Sequence, residues 1–320
     1  MTARRADLSP RPDQATHATS VKHGYAFGFL ASLIWGGFLV ASRYGVGEGL
    51  TAADIAFLRY ATAGLIVLPW LLRNTPHRLA GVGWVKAGCL ALFAGPPFIL
   101  LSASGYLFAP LAHAAVVQLG ALTLFNVLLA SIVLREHPSA PRLFGLTLVV
   151  VGLIVAAGPA LWTGSSRAWI GDLLFASAGL SWAIFTVLQR QWGVPAFAAT
   201  ASLSFVSALI YAPAYLLLTH GRIWHLPWTV LAEQAVAQGV FSGVIAIYAF
   251  SRAVAAIGAS RSALFPAISP GVAILLGIPV TGEIPSCMQV AGLLVLSAGL
   301  LIPLVLDARK RYLMCGRPER

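Results

Sequence analysis

Two side chains inside apolar runs are the best candidates in this sequence for binding a small solute or carrying a proton. Arg59 is the one cation within such a run, and His113 is the one plausible titrating group. The guanidinium of Arg59 could donate two parallel hydrogen bonds to a carboxylate. Its alternative role is to pair with Asp54 or Glu48, or to extend to the membrane surface. His113 could carry a proton, or it could bond to a backbone carbonyl.

Two tryptophans and several uncharged polar residues could complete a binding site. Trp35 and Trp182 lie near the middle of their apolar runs, whereas tryptophan usually collects at membrane interfaces. Gly36 and Gly37 leave open space beside Trp35, so the rings could line a cavity for aromatic or amphipathic solutes. Helix packing is the alternative for the rings, and interhelical hydrogen bonding is the alternative for the polar groups. The predicted substrate-binding residues are Trp35, Arg59, His113, Gln118, Trp182 and Tyr248.

Neither the acids nor the cysteines form a catalytic or metal-binding pattern. None of the ten acids falls in the middle of an apolar run, and the three cysteines lack any metal-binding spacing. The sequence has no phosphate loop, HExxH motif or Ser-His-Asp pattern, so we expect no cofactor and no ATP drive. We therefore predict that the chain is not an enzyme. An integral-membrane enzyme and a non-transporting accessory subunit are the alternatives.

The composition is that of a membrane protein that crosses the bilayer many times. Of the 320 residues, 58% are hydrophobic and only 10% are charged, whereas soluble proteins carry about 25% charged residues. The mean hydropathy is +0.84, which leaves no room for a large soluble domain. The net charge of +11 indicates basic cytoplasmic loops and not a nucleic-acid partner.

Ten apolar runs are long enough to cross a bilayer as helices. They cover residues 25–42, 55–72, 87–105, 111–134, 143–161, 171–189, 195–218, 235–251, 262–281 and 288–306. Gly95-Pro96-Pro97 should kink the third run, because two successive prolines remove hydrogen-bond donors. We predict that residues 1–23, which contain Pro10 and Pro12, form a disordered cytoplasmic tail. We predict that residues 307–320 form a basic cytoplasmic tail.

The distribution of basic residues predicts the orientation. With the N-terminus inside, the inside segments hold 17 of the 21 basic residues, the outside loops hold 3, and Arg59 is the last. Since positively charged loops stay in the cytoplasm, this imbalance favours ten spans with both termini cytoplasmic.

One stretch of the chain occurs twice at a constant offset of 147 residues. The first copy runs from Glu136 to Leu153 and the second from Glu283 to Leu300, with seven identities in eighteen positions. The identical pairs are Glu136 and Glu283, Pro138 and Pro285, Ser139 and Ser286, Gly145 and Gly292, Leu146 and Leu293, Gly152 and Gly299, and Leu153 and Leu300. The chain is therefore an internal duplication.

Each copy predicts a helical hairpin. The acid ends one helix, the proline lies in the turn, and the two glycines share a face of the next helix. Small residues on one face let membrane helices approach closely. The two glutamates either pack within this hairpin or gate opposite faces of the membrane, a hypothesis based on their symmetric placement.

The duplication divides the chain into five-helix repeats at residues 24–161 and 171–306. Because five is odd, consecutive copies enter the membrane from opposite sides and form an inverted repeat. This architecture is typical of transporters, in which two inverted halves rock around a central site.

These features resemble the EamA-type family of the drug/metabolite transporter superfamily over residues 24–306. Beside the hairpins, the resemblance includes Ala31-Ser-Leu-Ile-Trp35-Gly-Gly and Ala178-Gly-Leu-Ser-Trp182-Ala, again 147 residues apart. Pro270 matches a family proline in the ninth helix, whereas Thr123 replaces it in the first half. The resemblance implies export or exchange of small metabolites, often amino acids or their relatives, across the bacterial inner membrane.

Glycine pairs spaced by four predict close helix crossings elsewhere. Gly24-x-x-x-Gly28 and Gly239-x-x-x-Gly243 place two small residues on one helix face. Such crossings occur within a protein or between protomers, so a homodimer is among the expected partners, with the lipid bilayer and a small-molecule substrate.

Overall fold

The computed structural model describes residues 12–157, 167–262 and 264–315, and within these ranges the chain contains helices and turns but no strand. The predicted tail residues 1–11 and 316–320, and the predicted end of the fifth run at 158–161, lie outside the described residues. The main helices are α1 (Pro12–Gly47), α2 (Ala52–Arg73), α3 (Trp84–Gly105), α4 (Leu111–Val133), α5 (Ala140–Ala157), α6 (Ala168–Gln191), α7 (Ala196–Leu218), α8 (Trp228–Ile257), α9 (Leu264–Thr281) and α10 (Cys287–Cys315).

In the described part of the chain, nine of these helices are long and apolar enough to cross a membrane. The remaining one, α5, is apolar over the shorter range Ala140–Ala156. A helix rises 1.5 Å per residue, so a span of about 20 residues matches the ~30 Å hydrocarbon core. The chain is therefore a multi-pass membrane protein.

The N-terminal segment differs from the prediction. Helix α1 begins at Pro12, so residues 12–23 are helical and the disordered tail predicted there is wrong. Proline suits the first position of a helix, because its missing N–H would have no helical partner there. Helix α10 likewise continues to Cys315, beyond the predicted end of the span at residue 306.

The predicted kink in the third run is confirmed. Helix α3 breaks at Gly95, and Pro96 and Pro97 occupy the first positions of its second segment. Two π-helical segments were not predicted, Ala114–Gln118 in α4 and Ala235–Ile245 in α8. A π-helical turn holds an extra residue and often marks a functional site.

The two halves are intertwined, and their helix contacts are reciprocal. Helix α1 packs on α8 and α9 of the second half, and its counterpart α6 packs on α3 and α4 of the first half. Helix α2 contacts α8, and α7 contacts α3 in the equivalent way. Helices α2 and α7 pack on each other, as do α5 and α10. Exchanging the two halves therefore reproduces the contact pattern.

The glycines of the duplicated hairpins form the contact between α5 and α10. A Cβ at Gly152 would lie 2.7 Å from the Gly292 carbonyl oxygen, and one at Gly299 would lie 2.6 Å from the Gly145 oxygen. The first glycine of each copy thus faces the second glycine of the other, so equivalent helices run antiparallel. This arrangement confirms the predicted close packing of these glycines.

The other glycine pairs are used inside the chain. Gly24 faces Ile257, and Gly28 faces Phe265. Gly239 and Gly243 of α8 face the α2 residues Thr62 and Ala63 in the same manner. These crossings join the two halves of one chain, so the glycines no longer argue for a homodimer. The homodimer stays a prediction.

Candidate functional site

Two of the ion pairs that join the halves are equivalent to each other. Arg43 of α1 pairs with Glu283 between α9 and α10, and Arg190 of α6 pairs with Glu136 between α4 and α5. The arginines are 147 residues apart, as are the glutamates. In each pair, the arginine of one half therefore binds the glutamate of the other.

The Arg43–Glu283 pair is the more enclosed of the two. Nε of Arg43 donates to Oε1 of Glu283 at 2.5 Å, and the backbone N–H of Leu111 donates to Oε2 at 2.7 Å. A third bond runs from Nη1 of Arg43 to the carbonyl of Tyr106 at 3.3 Å. The side chains are only 27% and 24% exposed. At this end of the bundle, the helices are joined by a network that includes backbone groups.

The Arg190–Glu136 pair is more open to solvent. Its side chains are 46% and 38% exposed. Both residues line a cavity of about 370 Å³ that also includes Thr123 and Thr186. Its lining follows α4 from Leu119 to Ala130, about 16 Å of helix. The cavity therefore extends from the Glu136 end toward the middle of the bundle.

A second cavity lies beside Glu283 at the opposite end. It measures about 390 Å³ and is lined mainly by the start of α4 and the α9–α10 turn, including Leu111, Ile274 and Pro285. Its lining lacks the mid-helix residues that the first cavity reaches. Pro285 and Pro138 thus both border a cavity beside the glutamate of their hairpin.

The predicted tryptophans contact the opposite half in equivalent ways. Trp35 lies 5.1 Å from Phe250 between ring centroids, and Trp182 lies 4.8 Å from Phe98. Phe98 and Phe250 each precede the end of their helix by seven residues. The ring of Phe98 also stacks on Phe38 at 6.2 Å. Aromatic side chains from both halves therefore meet near the middle of the bundle.

Arg59 is buried without a carboxylate partner in the described residues. Its residue is only 6% exposed, and Nη1 donates to Ser242 Oγ at 2.8 Å and to the Gln238 carbonyl at 3.4 Å. Its guanidinium carbon lies 5.1 Å from the centroid of the Phe38 ring. Nε has no hydrogen-bond partner among the residues that the structure describes. The guanidinium thus retains a free donor in an apolar setting.

The alternative partners of Arg59 are not used. Asp54 is instead bonded to the hydroxyl of Tyr215 and caps α2 through the backbone N–H of Thr51, at 2.7 Å. Arg222 approaches the same carboxylate at 3.5 Å. Glu48 is exposed and forms no ion pair in the described part of the chain. Arg59 also does not extend to the surface, because it is buried.

The duplication predicted from the sequence matches a known family twice. Residues 22–158 and 169–305 both match the EamA-like transporter family. The chain belongs to the EamA-like transporter family. This family is part of the drug/metabolite transporter superfamily, and its members are transporters and not enzymes.

This EamA-like transporter is similar to two proteins whose names state no substrate. It is 29% identical to the uncharacterized protein PA1977 of Pseudomonas aeruginosa, over 80% of this chain and 87% of that protein. It is 21% identical to the uncharacterized transporter YyaM of Bacillus subtilis, over 84% and 90%. One crystal structure at 20% identity superposes with a TM-score of 0.62, covering 89% of this chain and 98% of the other. That likeness shows the fold.

The other predicted residues of this EamA-like transporter occupy separate places. Gln118 accepts a hydrogen bond from Ser102 at 2.7 Å within the first half. Nδ1 of His113 lies 2.8 Å from Asp172, a contact that joins α4 to α6. Tyr248 is 48% exposed and packs its ring on the rings of Phe27 and Phe197 at the perimeter. The structure therefore groups Trp182 near Arg59 through Phe98 and Phe38, and leaves Tyr248 outside.

Sequence reasoning missed the arginines of both ion pairs. Arg43 and Arg190 stand in the same 147-residue register as the glutamates, so the repeat itself carried the signal. Both lie just outside the predicted apolar runs. Both copies contain an arginine and a glutamate at equivalent positions. This repetition is the signal that would have indicated ion pairs between the arginine of one half and the glutamate of the other.

Proposed function

We propose that this EamA-like protein is a secondary transporter that exports or exchanges small amphipathic metabolites, such as amino acids or their relatives, by alternating access. It crosses the bacterial inner membrane ten times, with α5 as the tenth span and both termini in the cytoplasm. The packing of α5 along α10 supports its role as a span. The excess of basic residues on one side supports the orientation.

The observation that carries this proposal is the pair of equivalent but unequal ion pairs between inverted halves. Since inverted repeats can exchange conformations, the more enclosed arrangement of this contact should pass from one end to the other. The Arg43–Glu283 pair is less exposed than the Arg190–Glu136 pair. The conformation described here is thus closed more tightly at the Glu283 end.

In the proposed cycle, the Glu136 end faces the cytoplasm and admits the solute through the 370 Å³ cavity. The halves then rock, the Arg190–Glu136 pair becomes enclosed, and the Arg43–Glu283 pair separates. The solute leaves on the periplasmic side. The four glycines of α5 and α10 hold these helices in close contact, which supports their use as a fixed support for that motion.

The proposal is tested by comparing metabolites in spent medium and cell extract with the full chain overexpressed or absent. A metabolite class that accumulates outside and falls inside is then loaded into proteoliposomes for counterflow. Glu283→Gln should reduce counterflow, while Glu48→Gln, an exposed acid outside the ion pairs, should leave it unchanged. If neither assay detects movement of any solute, the transporter assignment is refuted.

A further inference from the structure

Arg59 is the one described cation that is deeply buried and still lacks an anionic partner. A buried charge without a partner is strongly disfavoured, so such a group usually has a reason to remain. Ion pairs in the described part of the chain use Arg43, Arg190 and Arg222, and none uses Arg59. A bound anion would supply the missing charge and accept a hydrogen bond from Nε.

Arg59 also departs from the internal symmetry. Pro69 of α2 corresponds to Pro213 of α7, an offset of 144 residues, which places Leu203 opposite Arg59. Gly64 packs on Ala208 with the same offset, as equivalent residues should at a two-fold axis. The halves share their ion pairs and tryptophans, but only the first half carries this cation.

A row of aromatic rings runs from Arg59 toward the 370 Å³ cavity. Its guanidinium lies over Phe38, Phe38 stacks on Phe98, and Phe98 contacts Trp182. Thr186, which lies one helical turn after Trp182 on α6, lines the 370 Å³ cavity. A solute that continued past Thr186 would therefore meet Trp182 first and the positive charge of Arg59 last.

We propose that Arg59 and the rings of Phe38, Phe98 and Trp182 form a binding site for a monocarboxylate with an apolar or aromatic body. The site rests on the proposed function only in that its ligand is the transported solute. The carboxylate binds the guanidinium, and the body lies along the rings. Oε1 of Gln238 is buried without a partner in the described part of the chain, and it accepts a hydrogen bond from a hydroxyl or ammonium group of the ligand.

One cation favours a single negative charge. A phosphate ester carries nearly two charges at neutral pH and is usually held by several donors or cations. Among the described residues named for this site, the guanidinium of Arg59 is the only cation, and Ser242 accepts one of its hydrogen bonds. The aromatic row offers no further positive charge, so a dianion would remain partly uncompensated.

The test measures binding by the purified full chain, with 3-phenylpropanoate, its neutral amide and 3-phenylpropylamine as probes. Calorimetry should show that the carboxylate binds about 10- to 100-fold more tightly than the amide, the range expected for a charge-assisted bond. Arg59→Gln should remove this preference. Arg59→Lys should keep part of it, because the charge remains while the planar fork is lost.

Arg73→Gln provides the matched control, since Arg73 lies at the exposed end of the same helix and should leave the preference intact. The comparison of carboxylate and amide on the unmodified chain needs no variant, so misfolding of Arg59→Gln cannot hide the result. Equal binding of the two, or a preference that survives in Arg59→Gln, would overturn the site. Binding that depends on Arg59 without counterflow would uphold the site and contradict the transport proposal.

Discussion

Removal of one charge at Glu283 should open the end of the bundle at which the more enclosed ion pair lies. In Glu283→Gln, the amide oxygen can still accept from the Leu111 N–H, but Arg43 loses its counter-charge. Exposed pairs contribute about 0–1 kcal/mol and breaking buried pairs costs about 3–5 kcal/mol. A pair about one-quarter exposed should lie between, at roughly 1–2 kcal/mol, which is a roughly 5- to 30-fold shift between states.

The equivalent change at the other end should have a smaller effect. The Arg190–Glu136 side chains are 46% and 38% exposed, so Glu136→Gln should shift the populations by at most about 5-fold. The asymmetry between the two variants is therefore the prediction. Opening at one end must come at the expense of the other, because the two conformations share a single equilibrium.

Cysteine labelling measures the two ends separately. Cys89, Cys287 and Cys315 are first replaced by serine, and one cysteine is placed at Ile274 or Thr123, which line the two cavities. Ile274 is 8% exposed, so its labelling rate should report opening at the Glu283 end. Glu283→Gln should raise that rate about 5- to 30-fold and slow labelling at Thr123.

A charge exchange supplies the control for this experiment. The double variant Arg43→Glu and Glu283→Arg retains an ion pair and should return labelling at Ile274 toward the original rate. Equal responses to Glu283→Gln and Glu136→Gln, or no response at either cavity, would show that the ion pairs do not control access.

Three further predictions concern packing and the contacts around the site. Gly152→Ala should lower the melting temperature in detergent, because its Cβ would lie 2.7 Å from the Gly292 oxygen and overpacking costs about 1–3 kcal/mol. Gly37→Ala, which meets open space, is its control. His113→Gln should raise labelling at the Glu283 end a few-fold, because it removes the contact with Asp172; an unchanged rate would assign that contact to stability alone. Tyr248→Ala should leave counterflow unchanged within error, and a loss would place the perimeter in the transport path.

The sequence predicted the parts of the fold that depend on residue type and spacing. The glycines of the hairpins recur in register, and their contact between α5 and α10 follows from the lack of a side chain. The break at Gly95 follows from two prolines without donors. The inverted order follows from an odd number of helices per repeat. Each of these inferences needed only local chemistry and arithmetic.

The partners of the helices could not be predicted in the same way. Apolar helices in lipid lack a hydrophobic force that would select one neighbour, so packing depends on shape along whole surfaces. The exchange that places α1 against α8 and α9 leaves no periodic signal in the sequence. The π-helical segments of α4 and α8 could not be predicted from the sequence either, because they depend on tertiary packing.

The division between shared and unshared residues links the fold to the proposed cycle. In the proposed cycle, contacts that both halves contain, such as the Arg–Glu pairs, become enclosed at one end as they loosen at the other, so they favour neither conformation by themselves. Contacts found at one end only supply the bias. The Glu283 end adds the Leu111 N–H and the Tyr106 carbonyl to its ion pair. The His113–Asp172 contact also lies near this end. At the equivalent positions of the other repeats, 147 residues away, the chain has Ser260 and Tyr25, which cannot form an ion pair. By the same reasoning, a cation present in one half only, Arg59, belongs to solute recognition and not to the alternation itself.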